Sequence, residues 1–201
     1  MKKIAFLAFL LAACVAAGRA QESRQDISLS ATGLIEPFRA STTDVQVSAN
    51  RAFGGLISYR FMLTPTSAIE ANYGMTYENS IHYVISNTNQ YKVNTRTQEL
   101  GGAYVRSFVF KNLNPFVEAG PSGLIFLPIR NSGTTSLDVR QQTSIAAMYG
   151  AGIAYEISPS FDLRVQYRGL VTKVPTFNDS QLNTNRWYNI SEPIFGVAYH
   201  F

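Results

Sequence analysis

The chain has little of what most protein chemistry requires. Among its 201 residues there are one cysteine and two histidines, and charged residues make up only 15%, against about 25% in ordinary soluble domains. Cys14 lies in the N-terminal segment, so the rest of the chain can form neither a disulfide nor a thiolate site. His82 and His200 are predicted to lie at opposite ends of the fold and cannot share a metal ion. The sequence therefore predicts no metal and no cofactor.

The N-terminal segment has the pattern of a secretory signal. Two lysines precede an apolar run over residues 4–17 that is too short for a membrane-spanning helix. Small residues at Gly18 and Ala20 stand where a signal peptidase reads the chain. We predict a signal peptide over residues 1–20, cleavage between Ala20 and Gln21, and a single domain over residues 21–201.

The same segment permits a second interpretation. Residues 11–14 read Leu-Ala-Ala-Cys, which matches the lipobox of bacterial lipoproteins. In that case Cys14 would be lipidated and would become the first residue. The apolar stretch continues past Cys14, however, where lipoproteins usually turn polar, and this favours cleavage after Ala20.

Loss of the signal removes most of the positive charge. Residues 1–20 contain three basic residues and no acidic one, so 14 of the 17 basic residues remain against 13 acidic ones. A net charge of about +1 leaves no basic patch of the kind that binds nucleic acid. No nucleic-acid partner is expected.

No apolar run after residue 20 approaches the roughly 20 residues of a transmembrane helix. The dominant period is two, which is typical of β-strands. In one segment the residues of one row are Phe161, Leu163, Val165 and Tyr167, and those of the other are Asp162, Arg164, Gln166 and Arg168. Low charge combined with strands rather than helices favours a β-barrel as the membrane-spanning structure.

Turn residues divide the chain into eight predicted strands. These lie near residues 26–35, 52–63, 68–78, 95–108, 115–126, 143–157, 161–173 and 189–201. Tight turns at 64–67, 111–114 and 158–160 alternate with long Asn-, Ser- and Thr-rich segments near 36–51, 79–94, 127–142 and 174–188. Strict alternation of short and long connections predicts an eight-stranded antiparallel up-and-down transmembrane barrel, with tight periplasmic turns and long extracellular loops.

The C-terminal strand alternates to its last residue. Its aromatic and aliphatic row is Phe195, Val197, Tyr199 and Phe201. In architecture and in this terminal row the chain resembles the OmpA-type family of small outer-membrane barrels. The resemblance implies a bacterial outer-membrane location among lipid and lipopolysaccharide, and recognition of the terminal strand by the barrel-assembly machinery. It covers the barrel only, so the peptidoglycan-anchoring role of OmpA is not expected.

The apolar face is predicted to meet lipid. A soluble lipocalin-like barrel is the alternative, but a water-facing exterior would be more highly charged. Aromatic residues also cluster near the strand ends, as in membrane girdles. Those near the turns are Phe61, Phe108, Phe116, Tyr155, Phe161, Tyr199 and Phe201, and those near the loops are Tyr77, Trp187 and Tyr188.

The opposite face is predicted to fill a narrow lumen. An eight-stranded barrel is about wide enough for side chains alone, and enclosed charges must pair or remain hydrated. We predict a structural ion-pair network among Arg60, Glu70, Glu99, Glu118, Glu156, Arg164, Arg168 and Glu192. His200 lies on the same face, at the turn end.

Catalytic residues are scarce. A lipid A-modifying enzyme would need a histidine with a serine and an acid, and His82 with Ser80 and Glu78 is the only such set. A single histidine without a recognised motif favours a non-enzymatic protein. The sequence thus predicts a structural or surface-interaction role. Solvated polar loops need no partner to explain them; an extracellular ligand contacted through the loops, a lipid A-modifying enzyme and a narrow pore are the alternatives.

Overall fold

The computed structural model describes residues 24–36, 39–41, 45–49, 51–77, 79–85, 89–129, 140–177 and 185–201. The predicted signal peptide and its cleavage site lie outside these ranges. Within them the chain forms eleven strands and no helix that is long and apolar enough to cross a membrane. The strands are β1 (Gln25–Leu34), β2 (Arg39–Ser41), β3 (Val45–Ala49), β4 (Ala52–Thr64), β5 (Ser67–Thr76), β6 (Asn79–Ile85), β7 (Asn89–Ser107), β8 (Leu113–Pro128), β9 (Gln142–Ser158), β10 (Phe161–Lys173) and β11 (Trp187–His200).

Eight of these strands close into an antiparallel barrel in the order β1-β4-β5-β7-β8-β9-β10-β11. The barrel closes because β11 pairs with β1, from Asp26↔His200 to Thr32↔Ile194. Closure leaves no barrel strand with an unpaired edge, as a membrane requires. The predicted eight-stranded antiparallel barrel is confirmed.

Strand positions follow the alternation of the sequence closely. Along β5 nearly every second residue is buried and those between are exposed. Three tight turns lie at one end of the barrel, after β4, β7 and β9, together with Gln25 and Phe201. We call this the turn end and the opposite one the loop end.

Two of the predicted long loops are wrong in part. The segments near 36–51 and 79–94 contain β2, β3 and β6, and β7 begins at Asn89 rather than near 95. The sheet order β2-β3-β6-β7 extends the barrel wall past its loop-end rim. Residues 81–85 are rich in β-branched and aromatic residues, which suit a pleated sheet. Of the other two predicted loops, residues 130–139 and 178–184 lie outside the described residues, and β11 begins at Trp187 rather than near 189.

The interior has a polar part and an apolar part. Most buried charged side chains lie in the middle of the barrel and towards the turn end, whereas the loop end is packed mainly by apolar side chains, with Glu36, Asn79 and Asn94 also buried there. These apolar side chains include Leu34, Ile81, Val93, Leu124, Phe126, Leu170, Val174, Phe177 and Ile190. The sequence predicted a charged network in the lumen but not this apolar layer. Strand positions such as Leu170 and Ile190 continue the inward rows, so the layer closes the interior beneath the loops.

The lipid-facing surface carries the predicted aromatic girdles with two corrections. Phe61, Phe161 and Trp187 are exposed on the outside. Phe116 and Tyr188 were assigned to the girdles, but both are buried and project inward. Phe116 and Tyr188 lie on even-numbered positions of β8 and β11, in the same rows as Glu118 and Glu192, and this alternation decides their side.

Strands β7 and β8 approach each other closely beside Pro121. Ladder pairs are present at Gly101↔Ser122 and Tyr104↔Ala119, on either side of an unpaired interval, because proline has no N–H to donate. A methyl group on Gly120 would overlap the carbonyl oxygen of Gly102 and come within 2.8 Å of the Cα of Ala103. The obstacle is backbone, which cannot rotate away.

Gly120→Ala is therefore expected to lower the free energy of unfolding by about 2–3 kcal/mol. Urea unfolding of refolded protein in lipid vesicles, followed by the fluorescence of the single tryptophan, measures the effect. Gly55→Ala is the matched control, because its nearest neighbouring atom would be 3.9 Å from the added methyl. Equal unfolding midpoints for the two variants would contradict the close approach of β7 and β8.

Candidate functional site

Arg168 is the centre of the buried network. Its guanidinium Nη2 lies 2.8 Å from Glu99 Oε2 and 2.7 Å from Glu192 Oε2, and Nη1 donates to Met148 Sδ at 3.4 Å. The side chain is fully buried. These contacts connect β7, β9, β10 and β11 across the lumen, so one cation is shared by two carboxylates from different strands.

A second pair lies on neighbouring strands. Arg60 of β4 and Glu70 of β5 are direct ladder partners, and Arg60 Nε donates to Glu70 Oε2 at 2.8 Å. The Arg60 guanidinium also lies 4.8 Å from the centre of the Phe116 ring. The inward position of Phe116 thus gives Arg60 an aromatic face that partly replaces lost hydration.

The turn end holds a third group that the sequence did not identify. Arg164 Nη2 lies 2.7 Å from Asp26 Oδ2, and His200 Nε2 lies 2.8 Å from Asp162 Oδ2. His200 Nδ1 is 4.0 Å from Asp26. Asp26 and Asp162 share the inward rows of β1 and β10, a signal that was present in the alternation. The group links β10 and β11 to β1, where the barrel closes.

Two of the predicted network residues form no ion pair within the described residues. Glu118 is buried, yet neither of its carboxylate oxygens has a hydrogen-bond partner there. Gly150 provides its space, since a Cβ at that position would lie 2.6 Å from Glu118 Oε1. Glu156 is half-buried near the turn end, where it is the ladder partner of Asp162 and forms no ion pair with a described arginine.

Buried acids outnumber buried bases in the described barrel strands. Three arginines face six carboxyl groups there, from Asp26, Glu70, Glu99, Glu118, Asp162 and Glu192. Asn72 is also buried, with both amide atoms unpartnered among the described residues. Buried polar atoms of this kind require water as a partner. The polar half of the interior thus contains more carboxyl groups than its three described arginines can neutralise.

One further acid lies just beyond the end of β1. Burial, with a smaller contribution from the charge of Glu192, raises the pKa of Glu36 to about 7. Because this value exceeds the ordinary 4.5, the stability that Glu36 contributes is largest below pH 4.5 and decreases as the pH rises through about 7.

Other chemistry has little support in the described residues. They contain no group of three metal-ligating side chains. His82 lies in β6 rather than in a loop, and Ser80 Oγ donates to Asn94 Oδ1 at 2.7 Å, while Glu78 is outside the described residues. A cavity of about 10 Å³ lies beside Glu99, Arg168 and Glu192. That is room for one water molecule.

The family of this barrel follows from comparison with known proteins. The profile of the outer membrane protein beta-barrel domain family matches residues 5–201. The chain belongs to this family. A comparison with curated proteins finds no match.

Solved structures of other outer-membrane barrels are similar in fold. The outer membrane protein OprG from Pseudomonas aeruginosa is 8% identical, with a TM-score of 0.62 over 90% of this chain and 97% of that one. Neisserial surface protein A is 15% identical, with a TM-score of 0.54 over 87% and 97%. The N-terminal barrel of OprF from Pseudomonas aeruginosa is 15% identical, with a TM-score of 0.50 over 90% and 100%. Identities this low show the shared fold alone.

This outer-membrane barrel protein is located in the bacterial outer membrane, where lipid and lipopolysaccharide surround its exterior. The terminal row lies on that exterior: Phe195 and Val197 are exposed, and Tyr199 and Phe201 are half-buried. The rings of Tyr199 and Phe201 stack at 6.0 Å, and the Phe161 ring lies 5.1 Å from Tyr199. The row ends in an aromatic cluster at the turn end.

Proposed function

We propose that this outer-membrane barrel protein is a non-enzymatic, non-conducting surface-binding protein whose turn end is periplasmic and whose loop end is extracellular. The observation that carries the proposal is the combination of a filled interior with a sheet that rises beyond the barrel rim. The barrel anchors the sheet, and the sheet with its neighbouring loops contacts the ligand.

The filled interior argues against conduction. Ion pairs cross the lumen at Arg168, and the apolar layer above them contains Phe126 and Phe177, whose rings meet edge to face at 6.5 Å. An ion passing between these two rings would lose much of its hydration, which is costly. A structural role for the charged residues explains their burial better than an ion pathway.

The extension beyond the rim supports surface binding. Strand β7 is 19 residues long, whereas about 9–11 residues suffice to cross a membrane. Its first residues pair with β6, and β6 pairs with β3. A paired sheet fixes the course of its backbone, so binding a ligand would cost little backbone ordering.

One deletion tests the binding surface. Replacing residues 81–93 by Asn-Gly closes a tight hairpin at the Ser80↔Asn94 pair and removes the partners of β3. The control replaces residues 159–160 by Asn-Gly at the turn end. We expect wild type and control in nanodiscs to bind members of a glycan and glycoprotein array, and the deletion to weaken binding at least about tenfold. Equal binding by all three proteins would contradict the proposal.

The alternatives are tested in the same preparation. Planar-bilayer recordings of wild type should show no conductance steps, and steps that persist in the deletion variant would indicate a narrow pore. Mass spectra of lipid A from cells with and without the protein should be identical. A new lipid A species that disappears in His82→Ala would indicate the enzyme instead.

The processing of the chain gives a separate prediction. We expect the mature protein to begin at Gln21 and to carry no lipid, because small residues occupy the cleavage positions before it. Intact-mass analysis of protein extracted from membranes measures this. A mass that begins at Cys14 and includes acyl chains would establish the lipoprotein instead.

A further inference from the structure

A connected group of polar side chains lies on the outer wall of the barrel, over β9, β10 and β11. Tyr149 Oη donates to Asn189 Oδ1 at 3.2 Å, and Tyr167 Oη donates to Ser191 Oγ at 2.7 Å. Asn189 Nδ2 donates to Ser191 Oγ at 3.3 Å. All four residues occupy outward rows, beside exposed Val165 and Phe195. We call these four residues the outer polar patch.

The backbone beneath the patch is shaped for it. Gly169 lies between Tyr149 and Ser191 in the ladders of β10, and a Cβ there would come within 2.6 Å of the Tyr149 ring. The ring of Tyr149 therefore lies across β10 in the space that any other side chain would occupy. Its hydroxyl reaches Asn189 on β11 only because position 169 has no side chain.

The patch lies near the outer edge of the apolar band. Gly169 is eight residues along β10 from Phe161, which belongs to the turn-end aromatic cluster. At about 3.3 Å per residue and a tilt of roughly 40°, the separation along the barrel axis is about 20 Å. The apolar band of such barrels is about 25 Å tall. With the loop end extracellular, as proposed above, the patch lies at the inner edge of the outer-leaflet headgroups.

A cation stands next to the patch. Lys173 is the ladder partner of Trp187, and its Nζ lies 5.6 Å from the centre of the indole ring. Trp187 precedes Asn189 by one position in the outward row of β11. The described outward rows of β9, β10 and β11 contain no carboxylate. An anion would therefore meet one positive charge and no negative charge on this wall.

Hydrogen-bond counting indicates what the patch would accept. Ser191 Oγ already accepts two hydrogen bonds, so its hydroxyl hydrogen remains to be donated, and Asn189 Nδ2 has a second hydrogen. Neither has an acceptor among the described residues. Together with the Lys173 ammonium, these groups provide hydrogen-bond donors on the outer face of the barrel. Such a set suits a phosphate ester on a sugar, which offers acceptor oxygens and hydroxyl groups.

We propose that the outer polar patch, together with Lys173 and Trp187, binds the phosphorylated sugar headgroup of an outer-leaflet glycolipid. Lys173 contacts the phosphate, Asn189 donates to phosphate or sugar oxygens, and Trp187 packs against the sugar ring. The acyl chains run along the apolar wall below, past Tyr167 and Val165.

Native mass spectrometry of the folded barrel with defined lipids tests the proposal. The lipids are bisphosphorylated lipid A, the same lipid without phosphates, and phosphatidylglycerol. We expect wild type to retain bisphosphorylated lipid A at least about tenfold better than either of the others. Equal retention of phosphatidylglycerol would overturn the proposal, since it would show general attraction of anionic lipids.

Two single variants and one control locate the site. Lys173→Gln and Asn189→Leu should each lower retention of lipid A about tenfold. Tyr73→Phe removes an outward hydroxyl on β5, whose described outward row has neither lysine nor asparagine, and should bind like wild type. Far-ultraviolet circular dichroism checks that each variant is folded. Folded variants that retain lipid A as wild type does would overturn the assignment.

Discussion

Replacing Arg168 with methionine is expected to lower the free energy of unfolding by about 3–5 kcal/mol. The change leaves Glu99 and Glu192 buried without their shared cation, and desolvated carboxylates without a partner are costly. Methionine approximately preserves the volume and the contact with Met148, so the loss reflects charge rather than a cavity. Urea unfolding in lipid vesicles gives the difference between the variant and wild type.

Two comparisons separate pairing from general damage. Lys173→Met, at the exposed end of the same strand, should change stability by less than about 0.5 kcal/mol. Adding Glu99→Gln and Glu192→Gln to Arg168→Met should recover much of the loss, because neutral amides are less costly to bury than ions. If Arg168→Met unfolds at the same urea concentration as Lys173→Met, enclosed water rather than Arg168 solvates the two carboxylates.

Replacing Phe201 with alanine is expected to deplete the protein from the outer membrane of cells by about tenfold or more, while refolding into detergent remains efficient. The ring is half-buried at the edge of the barrel, so its loss should cost only about 1–2 kcal/mol. The neighbouring backbone hydrogen bond, from Phe201 N to Gln25 O at 3.0 Å, does not need the side chain. A large defect in cells would therefore arise from recognition of the terminal strand by the assembly machinery.

Phe161→Ala is the matched control for this experiment. Phe161 packs in the same aromatic cluster through Tyr199 and is somewhat more exposed than Phe201, but it lies within the chain. Both variants should lose similar stability, and only Phe201→Ala should be depleted from membranes. Equal depletion of the two would make Phe201 one more lipid-facing aromatic, and failure of Phe201→Ala to refold would make it a structural residue.

The alternation of the sequence was sufficient for the barrel but not for everything attached to it. In β5 and β10 one row is apolar and the other polar, so both the strand and its inward face are predictable. Strand β6 was not recognised in this way, because its buried row mixes polar Asn79 with apolar Ile81 and its pairing depends on β3 and β7. A strand that is stabilised mainly by pairing with neighbouring strands shows only weak alternation in its own sequence.

The charged interior shows a similar limit. Inward rows identify which charges are enclosed, and Asp26 and Asp162 could have been included on that basis. The partners themselves depend on register and barrel closure: Arg164 contacts Asp26, which is 138 residues away in the chain. Phe116 was assigned by its proximity to a turn, although its row places it inside, under Arg60. The row in which a residue lies predicts its side of the barrel wall better than its distance from a turn does.

The unbroken course of β7 has a mechanical consequence. This strand belongs to the sheet beyond the rim at its start and to the barrel wall from residue 95 to Ser107. A pull on the sheet along the barrel axis passes through the covalent chain into the wall. In the wall, β7 is hydrogen-bonded to β5 on one side and β8 on the other. These hydrogen bonds run across the strand, so all of them together resist its sliding along the wall. A tethered load would therefore act in shear on the whole wall rather than peel one strand from its edge.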